Sequence, residues 1–171
     1  MADWAAQRPW NEPPPPPTVE QQAYRDAMAR LAGGVGLLTA VDVVGRDCGI
    51  TVTAVSAVSL DPPLVLVCAD KKAHTNPLIA EGGVFAVNLL ADDQWELSNR
   101  FATQGNEAER FDGLECRRGP SGAPWLPDTL AVLDCRVVAT HDAGDHVIYV
   151  GEVVAAEVDD TRDPLLYYEA G

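Results

Sequence analysis

The chain has 171 residues, 47% of them apolar, and a formal net charge of −14. That length lies below the ~250 residues at which single cores stop growing, so one domain is expected. The acidity argues against a nucleic-acid partner, which calls for a basic footprint, and no apolar run reaches the ~20 residues of a membrane-spanning helix.

Residues 1 to 17 hold Trp4, Trp10 and the run Pro13 to Pro17. Consecutive prolines lack backbone donors and favour polyproline II, so this leader is read as disordered and the domain as residues 18 to 171. The leader also lacks the basic start and apolar core of a secretory signal, which makes the expected location cytoplasmic. Thr18-Val19-Glu20-Gln21 has the spacing of a capping box. Val19, Ala23, Tyr24, Ala27, Met28 and Leu31 then fall on one helical face, and Gly33-Gly34 stops the helix. That stripe is expected to dock on the body of the domain.

Val35 to Val44 reads as a strand and Gly45-Arg46-Asp47 as a hairpin turn. Gly49 opens a β-rich run, Ile50 to Leu60, in which hydroxyls and apolar side chains alternate. Alternation places Thr51 and Thr53 on one face and Val52 and Ala54 on the other. After Asp61-Pro62-Pro63, the stretch Leu64 to Cys68 is apolar on both faces and reads as a buried strand. It runs into Asp70-Lys71-Lys72-Ala73-His74-Thr75, which carries the only Lys-Lys pair of the chain. A hydroxyl-lined strand beside a short cationic loop suits a phosphorylated aromatic ligand; an amphipathic strand followed by a solvated turn accounts for the same residues.

A short helix opens at Asn76-Pro77 and closes at Gly82-Gly83, and Val84 to Leu90 is the next strand. Asn88 interrupts its apolar run and requires a partner if buried. Asp92 or Asp93 is expected to cap a helix whose Leu90, Gln94, Leu97 and Phe101 share a face. Residues 103 to 128 read as a long functional loop with a helical turn near Glu107 to Phe111. Leu130 to Thr140 and His146 to Val158 form a hairpin across Asp142-Ala143-Gly144-Asp145, and Leu165 to Tyr168 starts a last strand. Strands and helices do not alternate, so the expected fold is mainly β: an antiparallel barrel with a few short helices.

Cys48, Cys68, Cys116 and Cys135 form no Cys-x-x-Cys, and the three histidines have no ligand spacing. Free buried thiols are expected, and no metal. Neither Gly-x-Gly-x-x-Gly nor a Walker A loop is present, so a nucleotide would be held by something other than a glycine-rich helix start. His146, after a turn and at the start of a strand, reads on its own as a hydrogen-bonded strand-end histidine. His141 reads as solvated, and His74 either as a neighbour of a phosphate or as an exposed loop residue.

Over residues 20 to 168 the chain resembles the flavin-reductase-like, FMN-binding split-barrel family. The resemblance rests on Gly49-Ile50-Thr51-Val52-Thr53, on Val58-Ser59-Leu60-Asp61-Pro62-Pro63-Leu64-Val65-Leu66-Val67 and on Phe85-Ala86-Val87-Asn88-Leu89-Leu90. Arg100-Phe101-Ala102 and Gly144-Asp145-His146 follow in the family's order. It implies a split β-barrel of Greek-key type, a homodimer, and reduction of FMN or FAD by NADH or NADPH for a separate flavin-dependent monooxygenase. A split-barrel oxidase acting directly on a small substrate, or a flavin-binding module without turnover, would share the fold.

The same resemblance implies a division of roles. Thr51, Thr53 and the backbone of Ala54, Val55 and Ser56 would border the flavin ring. The loop Asp70 to Thr75, through Lys71 or Lys72 with Thr75 and with His74 nearby, would meet the phosphate. Asn88, Arg100 and Phe101 would complete the cofactor site. Gly144-Asp145-His146 would place His146 as the residue that holds the nicotinamide. This chain departs from the family pattern at Thr53-Ala54, where Asn or Ser is frequent, and at Ala73, where Ser is frequent.

Overall fold

The computed structural model describes residues 17–168. The expected leader thus falls outside the described residues except at Pro17. Eleven strands and three α-helices follow in the order α1 (Gln21–Met28), β1 (Gly33–Gly34), β2 (Gly36–Val41), β3 (Asp47–Val52), β4 (Val55–Leu60), β5 (Pro63–Asp70), α2 (Thr75–Gly82), β6 (Val84–Leu89), α3 (Trp95–Ala102), β7 (Arg117–Arg118), β8 (Pro124–Trp125), β9 (Ala131–Ala143), β10 (His146–Val158) and β11 (Leu166–Tyr167).

Seven strands form one antiparallel sheet in the order β3-β2-β6-β9-β10-β5-β4. Its two end strands, β3 and β4, are consecutive in the chain and joined only by Thr53 and Ala54, so the sheet must curl back on itself. The result is an antiparallel split β-barrel whose seam opens beside the β3–β4 corner. Alternate side chains of β5 (Val65, Val67 and Ala69) point inward, where they meet Leu38, Val52, Ile79, Phe85, Val87 and Tyr149. A second cluster, Val35, Leu37, Leu90, Phe101 and Leu126, packs outside the sheet beneath α3. Leu37 and Leu38 therefore serve opposite faces, as strand alternation requires. Gly49 permits this layering, because a Cβ there would lie 2.9 Å from Phe101 Cε1 and 3.1 Å from the Leu38 carbonyl oxygen.

Several local expectations need correction. The run Ile50 to Leu60 is two strands: β3 pairs with β2, whereas β4 pairs with β5. The break at Thr53-Ala54 turns the chain around the barrel corner, and alternation therefore ends at Val52. The N-cap of α1 is Glu20, with no side-chain capping bond, so Thr18 closes no capping box. Nor does the stripe dock: no residue of α1 is buried, and Tyr24 and Met28 are 58% and 44% exposed. The N-cap of α3 is Gln94, not an aspartate; its side chain instead accepts from the Ala91 N–H at 3.0 Å and donates to the Pro127 carbonyl at 3.0 Å. The loop 103–128 contains the 3-10 turn Glu107–Glu109 and the small β7–β8 hairpin. The β9–β10 turn is tighter than expected and needs only Gly144 and Asp145, with Gly144 at φ +70°.

Among the described residues no helix is long and apolar enough to cross a membrane, and no cluster of three metal-ligating side chains occurs. The four cysteines are free.

Candidate functional site

Strand β5 carries the site at its C-terminal end, where its two neighbours bring in different chemistry. On one side β4 begins: the Cys68 N–H donates to the Ala54 carbonyl at 3.1 Å, and Val55 stands opposite Val67. On the other side β10 begins, with His146 opposite Asp70. Residues 53–56, 70–75 and 144–146, distant in sequence, thus collect around one strand end.

The β5–α2 loop is internally ordered. The Asp70 carboxylate accepts from the Lys72 N–H at 2.8 Å, and the Asp70 carbonyl accepts from the Ala73 N–H at 3.0 Å. Lys71 faces the β9–β10 turn. Its ammonium donates to Asp142 Oδ1 at 2.6 Å and to the Gly144 carbonyl at 2.7 Å, and its N–H donates to the Asp145 carbonyl at 3.0 Å. The bond from Lys71 holds the Asp142 carboxyl below its ordinary range. His146, half-buried, has Nδ1 2.7 Å from Asp145 Oδ1, and this bond likewise depresses the Asp145 carboxyl.

Past the loop, Thr75 begins α2 and lines a cavity of about 720 Å³ between the free edge of β3, α2 and residues 105–111. The Thr75 hydroxyl is buried and meets no hydrogen-bond partner among the described residues beyond the weak Cys48 thiol. A buried hydroxyl at the first residue of a helix, where backbone N–H groups lack intrahelical acceptors, suits an anionic oxygen. The donors of Thr75 and the start of α2 fit a phosphate oxygen at the rim of the cavity, whose interior also carries the carboxylates of Asp42, Asp47, Glu107 and Glu109 beside Arg46 and Arg110. His74, at the N-cap of α2, lines the same cavity. Arg110 closes the far wall and is only 4% exposed; it donates to the Gly49 and Thr103 carbonyls, each at 2.7 Å. Burial pushes the Cys48 thiol up to about 12, so this cavity residue is a neutral, inert group.

Thr53, Ala54, Val55 and Ser56 border a larger, mostly apolar groove of about 950 Å³, whose opposite wall is the exposed stripe of α1 with Tyr24 and Met28. The loop residues Thr53 and Ala54 are exposed.

The remaining candidates lie elsewhere and are engaged in the fold. The Thr51 hydroxyl donates to the Ser98 carbonyl of α3 at 2.6 Å, so Thr51 does not share an orientation with Thr53. Asn88 is fully buried: its amide donates to the Leu37 carbonyl at 3.2 Å and to the Thr39 hydroxyl at 2.9 Å, and it accepts from the Leu126 N–H at 2.8 Å. Arg100 donates to the Glu109 and Asp112 carbonyls at 2.5 and 2.7 Å, tying down the loop below the cavity. Phe101 is buried edge-on against Phe111, with ring centroids 5.0 Å apart. Sequence reasoning missed Asp142 and Arg110. An acid in the turn that faces a lysine loop was a usable signal for Asp142; nothing local marked Arg110, whose partners lie in β3 and before the 3-10 turn.

Comparison with known proteins agrees with this geometry. A family model described as "Flavin reductase like domain" matches residues 28–171. The chain is 39% identical over 150 residues to "FMN reductase (NADH) RutF" of Stutzerimonas stutzeri, covering 88% of this chain and 86% of that protein. It is also 39% identical over 150 residues to "FADH(2)-dependent resorcinol hydroxylase, reductase component" of a Rhizobium species, covering 87% and 84%. Among solved structures, "Flavin reductase PheA2 in native state" superposes with a TM-score of 0.81 at 34% identity, over 90% of this chain and 96% of that one.

Proposed function

The chain belongs to the flavin reductase-like domain family, and from that membership we propose the assignment of its residues to a reaction. It is an NADH-dependent flavin reductase, passing hydride from the nicotinamide to FMN or FAD and supplying reduced flavin to an oxygenase component. The observation that carries the assignment of residues is the meeting, at one end of β5, of the Ala54 corner, the buried Thr75 hydroxyl and the Asp145–His146 pair.

Bound flavin supplies the hydride acceptor, and the redox chemistry is its own. The residues of this chain bind, orient and exclude water. The Thr75 hydroxyl and the Lys72 ammonium hold the phosphate, one by a buried donor and the other by charge. Thr53 and the backbone of Ala54 to Ser56 line the ring edge at the corner. Asp145 fixes the His146 ring, and His146 holds the nicotinamide from the opposite side of β5. No general acid or base is required of the protein, so Cys48 and Tyr149, both held neutral by burial, stay spectators. Asn88, Thr51, Arg100 and Phe101 keep the walls in place without touching the ligand.

We infer further that two copies associate. Tyr24 and Met28 of α1, with Leu31 just beyond its end, leave apolar surface open along the groove, with Leu31 66% exposed. A contiguous patch of that kind marks an interface. Consumption of NADH implies a cytoplasmic setting.

The test is NADH consumption by purified protein with FMN as the sole acceptor, next to the same assay without flavin. Flavin-dependent oxidation is expected; NADH that persists with either FMN or FAD present would end the reading. Sedimentation at micromolar concentration should give a dimer, and a single 18.3 kDa species would remove the second copy.

A further inference from the structure

The two lysines of the β5–α2 loop look equivalent in sequence, but the structure separates them. The Lys71 side chain folds back onto the β9–β10 turn, where one ammonium binds both Asp142 Oδ1 and the Gly144 carbonyl while the Lys71 N–H binds the Asp145 carbonyl. Lys72 uses its N–H on Asp70, and its ammonium makes no hydrogen bond or ion pair among the described residues, although its charge reaches Asp145.

The turn that Lys71 grips is held by a strand ladder on one side only, where β10 pairs with β5 as far as His146 opposite Asp70. β6 pairs with β9 only from Ala131 to Arg136. Beyond that, β9 continues to Ala143 with β10 as its sole strand partner. The outer edge of the hairpin tip is therefore unpaired, and its corner is a Gly144 at φ +70° with an Asp145 that holds His146 Nδ1. We propose that Lys71 is a positioning residue: it braces the turn, sets the Gly144–Asp145 peptide and thereby aims His146, whereas Lys72 is the one of the pair whose ammonium is left to meet the flavin phosphate. This rests on the reading of His146 as the holder of the nicotinamide. An exposed ion pair contributes little to stability, so the effect of the brace lies in geometry, where a misplacement of ~1 Å can cost on the order of 100-fold in rate.

Four variants test this. Lys71→Met should raise the KM for NADH about tenfold while the FMN dissociation constant stays within about twofold and the melting temperature barely moves. Lys71→Arg, whose fork reaches both oxygens, should restore the KM. Lys72→Met should weaken FMN but spare riboflavin, which has no phosphate. In the absence of substrate, Lys71→Met should also shift the imidazole nitrogen resonances of His146, assigned by their loss in His146→Ala. Unchanged His146 resonances in Lys71→Met would overturn the brace, as would weaker FMN binding with riboflavin spared. If those resonances move while His146→Ala leaves the NADH KM intact, the brace stands and the nicotinamide assignment of His146 is what fails.

Discussion

Two polar networks in this barrel are built from similar bonds and behave differently. The inner one joins Asn88, Thr39, the Leu37 carbonyl and the Leu126 N–H, and the Thr39 hydroxyl donates onward to the Pro124 carbonyl at 2.6 Å. Asn88 and Thr39 are both 0% exposed. The rim network joins Lys71, Asp142, Gly144, Asp145 and His146, mostly in water. Bond lengths barely distinguish the two; what replaces a lost partner does. Inside, a severed bond leaves a buried backbone group stranded, whereas at the rim water takes its place. The inner network therefore holds stability, and the rim network holds position.

The largest expected effect is on the inner network. Asn88→Ala strands the buried Leu126 N–H, removes the donor to Thr39 and leaves a void in the core, which together should cost about 3 kcal/mol in unfolding free energy. A denaturant titration checks it. A variant of near-native stability would mean that Asn88 does not serve the fold, and would return it to the ligand-binding residues. At the rim, His146→Ala should leave the melting temperature within a few degrees and raise the NADH KM about ten- to a hundredfold, with flavin affinity nearly constant. Anaerobic stopped-flow reduction beside a melting curve separates the two effects. Intact reduction kinetics with a depressed melting temperature would move His146 to the stability side of the comparison.

The smallest effect sharpens the contrast through pH. Burial pushes the Cys48 and Cys135 thiols up to about 12, while an unfolded thiol ionises near ~8.5. Because the folded value is raised, this stabilisation is complete below ~8.5 and declines as pH rises towards 12. The melting temperature should therefore fall across that alkaline window, and less steeply in Cys135→Ala. At the rim the sign is reversed: the depressed Asp142 and Asp145 carboxyls contribute above the ordinary carboxylate value, ~3.9, and lose that contribution as pH falls through their lower folded values. Equal alkaline slopes in wild type and variant would show that the Cys135 thiol is not held neutral by the fold.

How much of this was readable in the sequence follows the range of the interactions. The apolar run of β5, the αL stop at Gly83 and the pair of long strands flanking Gly144 are local patterns, and each appears close to its expected place. The loop Asp70 to Thr75 and the triplet Gly144 to His146 stood out in the sequence as candidates, and β5–β10 pairing brings them together. Asn88 was misleading because a polar residue in an apolar run has the same appearance whether its partners are ligand atoms or the backbone of β2 and residue 126. Thr51 and Thr53 looked like one face because nothing local marks the barrel corner between them. The capping box at Thr18 failed for a similar reason: three residues of pattern do not reveal that the helix starts only at Gln21. The roles of Lys71 and Lys72 were beyond reach, since they depend on a turn some seventy residues away.

That loop has a practical consequence for labelling. Lys71 and Lys72 are the only lysines in the chain, so an amine-directed reagent meets side-chain targets nowhere else. The Lys71 amine is held in two hydrogen bonds and that of Lys72 in none among the described residues, which gives the second the readier nucleophile. Apart from the α-amino group, ordinary lysine chemistry would thus attach a fluorophore or a surface tether at the mouth of the site, with no engineered handle.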